Sequence, residues 1–438
     1  MKFKINLFLS TLFFYLVTSF SGNCQEVLTS ENAVKIALEN NFDIKMASNE
    51  AEIDALNVSY ANAGITPSLN AIFTDNNSIL NTEQTQADGT VRQLNNAINR
   101  NIAYGVALNW TVFNGFRMFA RYEQLKQIEQ LGNTELQFTI LTQMTDVLST
   151  YYQIVQQQQQ LSVLDSTLVT SQLRLNVAKN RYTIGKASKL EVLNAEVDLN
   201  TDATNLLRQK ELYANTKAAL NQLLARDVSL DFKVSEVVSV EKDLLFKDLQ
   251  DKVALQNPQL QMQLFNKRIA ELELKQIKGD RYPVIQITSG YNITQTESSL
   301  GFIRESSGNG FVYGFNARVP IFNGSLQNRN EKIAKKAVEN AAVAVDRQKS
   351  QLESQLFSAY TTYLTNIQLS DLEAKNEKIA KENLDITLEK FKIGTITTVE
   401  FRTAQLNFVN AKFRNTAAQF QAKLSEIALK ELAGNLNL

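Results

Sequence analysis

Histidine is absent from this chain, and its single cysteine, Cys24, falls in an N-terminal segment that reads as a leader. With that segment removed, no imidazole base, thiol nucleophile, disulfide or usual zinc ligand set remains. Nor is there a glycine-rich phosphate loop, so the chain is expected to be no enzyme and to hold no cofactor or metal. Carboxylates are left, and they fall into a pattern only beside two turns: Glu191 stands six residues after Gly185, and Glu400 six after Gly394. On spacing alone, each glutamate reads as the solvated face of a surface helix.

The two turns are copies of each other. Tyr104-Gly105 recurs as Tyr313-Gly314, Phe113-Asn114-Gly115 as Phe322-Asn323-Gly324, and Ile184-Gly185 as Ile393-Gly394, all at one offset of 209. A long period kept in register means one structural unit built twice, each copy packing on the other or on further copies. Function is therefore expected in an assembly. The organisation predicted is a leader over 1–24, a first repeat over 25–230, a linker over 231–250 and a second repeat over 251–438.

Long helices must carry the turns. The chain has four prolines, none between Pro67 and Pro258. From Asn114-Gly115 to Tyr182 only Gly132 interrupts, and Ser325 to Phe391 has no breaker. Some 65 residues at ~1.5 Å each would make a rod of about 100 Å. Glycine past the helix end, with Ser188 or Thr397 before the next start, is cap chemistry. The returning helices show seven-residue seams, Val192, Leu199, Leu206, Tyr213 and Leu220 in one and Val399, Leu406, Phe413, Phe420 and Ile427 in the other. These seams are not at equivalent positions, which predicts different neighbours for the two hairpins.

Strands are expected in pairs. Ile102, Tyr104, Val106, Leu108, Trp110 and Val112 alternate with small or polar residues, as do Phe311, Tyr313, Phe315, Ala317, Val319 and Ile321. Eleven residues match a tilted membrane-spanning strand of ~9–11. Ser68 to Thr74 and Val284 to Thr294 supply partners, with Asn76 to Arg100 and Gln295 to Gly310 read as long polar outer loops. One face is large and aromatic and the other small and polar, which suits lipid outside and water inside. Four strands cannot close a barrel. An open edge in hydrocarbon would strand about five backbone groups at several kcal/mol each, so strands must be shared between chains.

Composition agrees with export. Met1-Lys2-Phe3-Lys4 and the apolar run from Ile5 to Val17 form a signal too short to span a bilayer. Cleavage after Cys24 leaves Gln25 first; the other reading makes Cys24 a lipid-bearing N-terminus, but Ser21-Gly22-Asn23-Cys24 lacks the branched aliphatic and the small final residue expected there. Basic and acidic residues balance at 45 each, so there is no nucleic-acid footprint.

Together these pieces resemble the TolC-type outer membrane efflux family. The matching residues are Ala33 to Asn41 (AVKIALENN), Ala254 to Pro258 (ALQNP), the proline before each hairpin, both Phe-Asn-Gly segments, and the turns at Arg181 to Gly185 and Lys390 to Gly394. The resemblance implies a mixed, mainly α fold: a homotrimer whose chains give four strands each to a twelve-stranded barrel in the outer membrane, continued by an α-helical coiled-coil tunnel across the periplasm. It implies an exit duct in tripartite efflux or one-step secretion, partnered by an inner-membrane transporter, a periplasmic adaptor (membrane fusion) protein and outer membrane lipid.

It further implies an aperture at the turns. Glu400 and its counterpart Glu191 match acidic positions, while Thr403 and Asn194 stand where a second acid is expected, and Ile396 where some relatives have an arginine. Converging carboxylates in a water-filled constriction would favour cations. Ile184, Gly185, Lys186 and Ser188, with Ile393, Gly394, Thr395 and Thr397, are the expected adaptor contacts. A secreted adhesive coiled coil without a channel explains the helices as well, but not paired hairpins with aromatic faces.

Overall fold

The computed structural model describes residues 27–299 and 303–436. The leader expected over 1–24, Cys24 included, lies outside them. The described residues form two compact units, one of 27–45, Thr139–Asn257 and 352–436, the other drawn from Met46–Phe138 and Pro258–Gln351. Each unit draws on both repeat copies.

The repeat is reproduced residue for residue in the long helices. Helix α3 spans Arg117–Thr183 and α7 spans Leu326–Lys392, 67 residues each. Their returning partners, α4 (Lys189–Leu223) and α8 (Thr398–Leu432), have 35 residues each. All four bounds keep the offset seen in the sequence, and α3 runs through Gly132 unbroken.

The first unit also holds β1 (Val27–Leu28), α1 (Ser30–Asn40), β4 (Lys233–Val234) and α5 (Phe246–Gln256), with β1 and β4 paired in parallel. Its core gathers Leu28, Val34, Val147, Leu148, Ile154, Leu220, Leu224, Phe232 and Ile427. The recurring Asn motifs have one job in both copies. Asn41 caps the helix that follows α1 by accepting from the Asp43 and Ile44 amides at 2.8 and 3.1 Å, and it donates to the Leu223 carbonyl at 2.9 Å. Asn257 donates to the equivalent Leu432 carbonyl at 3.0 Å. Each satisfies a carbonyl that the end of a returning helix would otherwise leave without a helical partner.

One seam differs from the sequence reading. Val399 is 71% and Leu406 41% exposed, whereas Phe413 and Phe420 are half-buried and Ile427 is 3% exposed, so the expected seam is covered only over its second half and is not the continuous buried row of α8. That row is Phe401, Asn415, Ala422 and Leu429, with Phe408 half-buried. These positions are equivalent to Val192, Leu206, Tyr213, Leu220 and Leu199, so the hairpins pack alike within the chain. Asn415 and Ala422 hide this row from a hydrophobicity pattern, whereas Val399 and Leu406 mark a stripe the chain itself does not cover.

The second unit holds most of α2 (Phe42–Asn57), α6 (Pro258–Gly279) and a four-stranded antiparallel sheet of β2 (Ser68–Thr85), β3 (Val91–Asn114), β5 (Val284–Ser298) and β6 (Glu305–Arg318). The order is β2-β3-β5-β6. Its register sets Phe73 beside Tyr104, Tyr104 beside Ile293, Val106 beside Tyr291 and Tyr291 beside Phe311, which makes one large apolar face. On the other face Gly105 meets Asn292, Ala107 meets Gly290 and Asn109 meets Thr288.

Three strand expectations need correction. The segments read as loops are mostly ladder: pairing continues to Thr85↔Val91 and to Glu297↔Glu305. Backbone hydrogen bonds need no apolar alternation, so polar strands escape a hydrophobicity reading. A bulge between Thr111 and Phe113 leaves Val112 without a partner across β3–β5 and puts Phe113 opposite Ile285. Strand β6 stops at Arg318, before Val319 and Ile321, because Pro320 has no N–H for a ladder.

Candidate functional site at the helical turns

The first unit contains both turns. Helix α3 closes through Gly185 at φ +75, with the Gly185 amide on the Tyr182 carbonyl at 3.0 Å and the Lys186 amide on Arg181 at 2.7 Å. Gly394, at φ +82, closes α7 the same way on Phe391 and Lys390, at 3.1 and 3.0 Å. Positive φ is nearly free for glycine, so each turn can reverse the chain in five residues.

The two glutamates are placed differently. The Glu400 amide donates to the Thr397 hydroxyl oxygen at 3.2 Å, while Glu400 Oε2 accepts from the Thr397 amide at 2.9 Å, a reciprocal capping box. Ser188 accepts from the Glu191 amide at 3.3 Å. The Glu191 carboxylate reaches instead to the second copy, where it accepts from Thr398 Oγ1, with Arg181 4.0 Å away. Glu400, Asn194 and Thr403 are exposed and Glu191 is half-buried. At the turns themselves, Ile184, Gly185, Lys186, Ser188, Ile393, Gly394, Thr395 and Thr397 are all exposed, Ile184 at 66% and Ile393 at 75%.

A polar layer just behind the turns was not read from the sequence. Arg402 of α8 donates to both oxygens of Asp202 on α4, at 2.7 and 2.8 Å. Ser171 of α3 donates to Asp202 at 2.5 Å, and Gln405 donates to Ser171 at 3.2 Å and to the Thr167 carbonyl at 3.3 Å. Arg174, 1% exposed, is paired with Asp198, and Arg402 Nε lies 3.7 Å from the same carboxylate. Burial presses the Arg174 guanidinium downward from its usual pKa, and Asp198 opposes that shift. Beside the layer, Phe391 and Phe401 stack at 4.8 Å, and Arg181 sits 5.1 Å over the Phe391 ring while donating to the Phe391 carbonyl at 3.2 Å. A cavity of about 540 Å³ opens here, lined by Arg174, Arg181, Glu191, Asp198, Val399 and Arg402 among others. A signal existed in the sequence: Asp202 lies three residues after Leu199, in the second row of the α4 seam, where a charge must find a partner.

Comparison with known proteins bears on what such turns serve. The family profile described as outer membrane efflux protein matches residues 33–226 and 249–435. The chain belongs to that family. Among curated relatives, this efflux protein is 20% identical over 441 residues to outer membrane efflux protein BepC of Brucella suis, covering 96% of this chain and 88% of that one. It is 22% identical over 305 residues to outer membrane protein TolC of Vibrio cholerae, covering 66% and 67%. The fold matches the Campylobacter jejuni CmeC outer membrane channel with a TM-score of 0.78 at 17% identity, over 92% of this chain and 85% of that one. The efflux protein is thus an outer membrane channel protein extending into the periplasm, an exit duct.

Proposed function

We propose that this efflux protein acts as a homotrimer that conducts cargo passively from an inner-membrane pump to the cell exterior, with no catalytic chemistry of its own. The observation that carries the reading is a sheet with an apolar face and two unpaired outer strands, β2 and β6, in a chain of this family. Three such sheets joined edge to edge leave no backbone group unpaired in lipid. The repeats over 25–230 and 251–438 then each supply one hairpin to the barrel and one helical hairpin to the periplasmic tunnel. A periplasmic adaptor meets the exposed turns at Ile184, Gly185, Lys186, Ser188, Ile393, Gly394, Thr395 and Thr397. The curated relative PrtF of Dickeya chrysanthemi, 18% identical over 433 residues, is a proteases secretion protein, and other relatives are named for efflux, so either cargo class suits the duct.

At the aperture the two glutamates divide the work. Glu400, exposed and tied only to its own cap, sets the charge the lumen sees; Glu191, held by Thr398, ties the first turn to the second. In planar bilayers the protein should form channels, and Glu400→Gln should lower cation preference more than Glu191→Gln. A protein that gives no conductance would end the duct reading, and equal selectivity in both variants would end the division of roles.

A further inference from the structure

Four glycines related by the repeat behave unequally within one chain. A Cβ on Gly105 of β3 would collide with the Tyr291 carbonyl and come within 2.7 Å of Asn292 Oδ1, both on β5. A Cβ on Gly115 would collide with the Gly279 carbonyl and the Tyr282 side chain. Strand β5 crowds the first, and the end of α6 with the segment before β5 crowds the second. Their repeats, Gly314 and Gly324, carry no such crowding: Gly314 would meet only Thr288 Oγ1 at 3.8 Å, and nothing among the described residues lies within 4 Å of Gly324. Gly324 nonetheless keeps φ +67 beside +69 at Gly115. One chain therefore explains glycine at 105 and 115 but leaves the lack of a side chain at 314 without a steric cause.

We infer that β6 pairs antiparallel with β2 of a second copy of this chain, in the register that places Gly314 opposite Asn76. This rests on the trimer proposed above and specifies its joint. The β3–β5 junction is the template. Strand β3 repeats as β6 at the offset of 209, and Pro67 and Pro283, each immediately before a strand, relate β2 to β5 by 216. Carrying the pair Gly105↔Asn292 across both offsets gives Gly314↔Asn76, and the asparagine opposite the glycine is reproduced. The pair Ala107↔Gly290 becomes Asn316↔Thr74. The Asp75 carbonyl of the second copy then occupies the place that the Tyr291 carbonyl holds against Gly105. At the foot of the sheet, Gly324 receives the segment around Ala63 and Thr66 as Gly115 receives Gly279 and Tyr282. The same register sets Phe311 beside Ile79, continuing the apolar face across the joint.

Paired cysteines test it in the full-length protein, with each single-cysteine variant fixing the background from Cys24. Asn316→Cys with Thr74→Cys should form a disulfide between chains under mild oxidation, seen as dimer and trimer bands on non-reducing gels, because facing strand residues bring Cβ atoms to about 4.5–5.5 Å. Asn316→Cys with Ile72→Cys or Asn76→Cys, one pleat out of register, should crosslink at least about tenfold less, since diagonal neighbours are ~7–8 Å apart. Gly314→Val should lower the trimer fraction in detergent while leaving the far-ultraviolet circular dichroism of the chain unchanged. Crosslinking best at a displaced pair overturns the register and leaves the trimer standing. So does a native mass of three chains in all variants with no crosslink at any pair. A wild-type monomer in detergent overturns both the joint and the trimer.

Discussion

The two turns share a backbone and differ in chemistry. Gly185 and Gly394 close their helices with the same hydrogen bonds, yet the acids of the polar layer, Asp198 and Asp202, belong to the first copy, and Arg402, which binds Asp202, belongs to the second. At equivalent places the second copy has Asn407 and Ala411, and the first has Leu193. Neither copy could complete the layer with a duplicate of itself. Two first copies would bury Asp202 without Arg402, and two second copies would bury that arginine without an acid. The lesson is that the repeat fixes the scaffold, while buried charge decides which hairpin lies beside which, a registry role of the kind a polar residue plays in a coiled coil.

The most direct way to break that asymmetry is Asp202→Leu, which takes the bidentate partner from Arg402 and leaves it Gln405 and the Asp198 carboxylate at 3.7 Å; it should cost roughly 3 kcal/mol, read as a lowered unfolding midpoint in detergent. Adding Arg402→Leu should restore most of the loss, because the pair is removed whole. A double variant as unstable as the single one would mean the layer's packing, and not its charge, matters.

A second contrast lies at Tyr151 and its repeat Tyr360. Tyr151, 2% exposed, donates to the Leu28 carbonyl at 3.0 Å, and half-buried Tyr360 donates to the Leu244 carbonyl at 3.2 Å. Burial pushes the Tyr151 phenol up to about 12 from an ordinary 10. A raised folded-state value means the folded protein holds its proton more tightly than the unfolded chain. The associated stability is therefore intact below pH 10 and is lost as pH rises towards 12, a loss of roughly 2–3 kcal/mol. Replacing Tyr151 by Phe should flatten the fall in unfolding midpoint over that window; an unchanged alkaline profile would show that another group governs it.

The smallest effect sharpens the comparison at the caps. Thr397→Ala should cost about 1 kcal/mol and loosen amides 398–401 in hydrogen exchange, more than Ser188→Ala does at 189–192, because only Thr397 is answered by a glutamate carboxylate. Equal loosening would remove the distinction between the turns.

What could be read from residues alone was whatever local geometry dictates. Glycine at a helix end, serine or threonine at the next start and the absence of proline set the bounds of α3 and α7 and the starts of α4 and α8 to within two residues, since each acts on its own few backbone groups. The apolar face of β3, β5 and β6 followed from period-two alternation for the same reason. The polar ends of the strands did not, because ladder pairing there depends on a neighbour's backbone and leaves no mark in side-chain type.

The sequence by itself settled the repeat, the lengths of α3 and α7 and the turns, all consequences of short-range sterics and capping. Only the tertiary structure decided that Phe401, Asn415 and Ala422 form the buried row, that Glu191 reaches Thr398 while Glu400 folds back on Thr397, and that Asp202 meets Arg402. Those partners lie some 200 residues apart in the chain for the pairs that join the two copies. Which of several apolar or charged stripes faces inward depends on what the other copy presents, and that is a property of the packed hairpins, not of either segment.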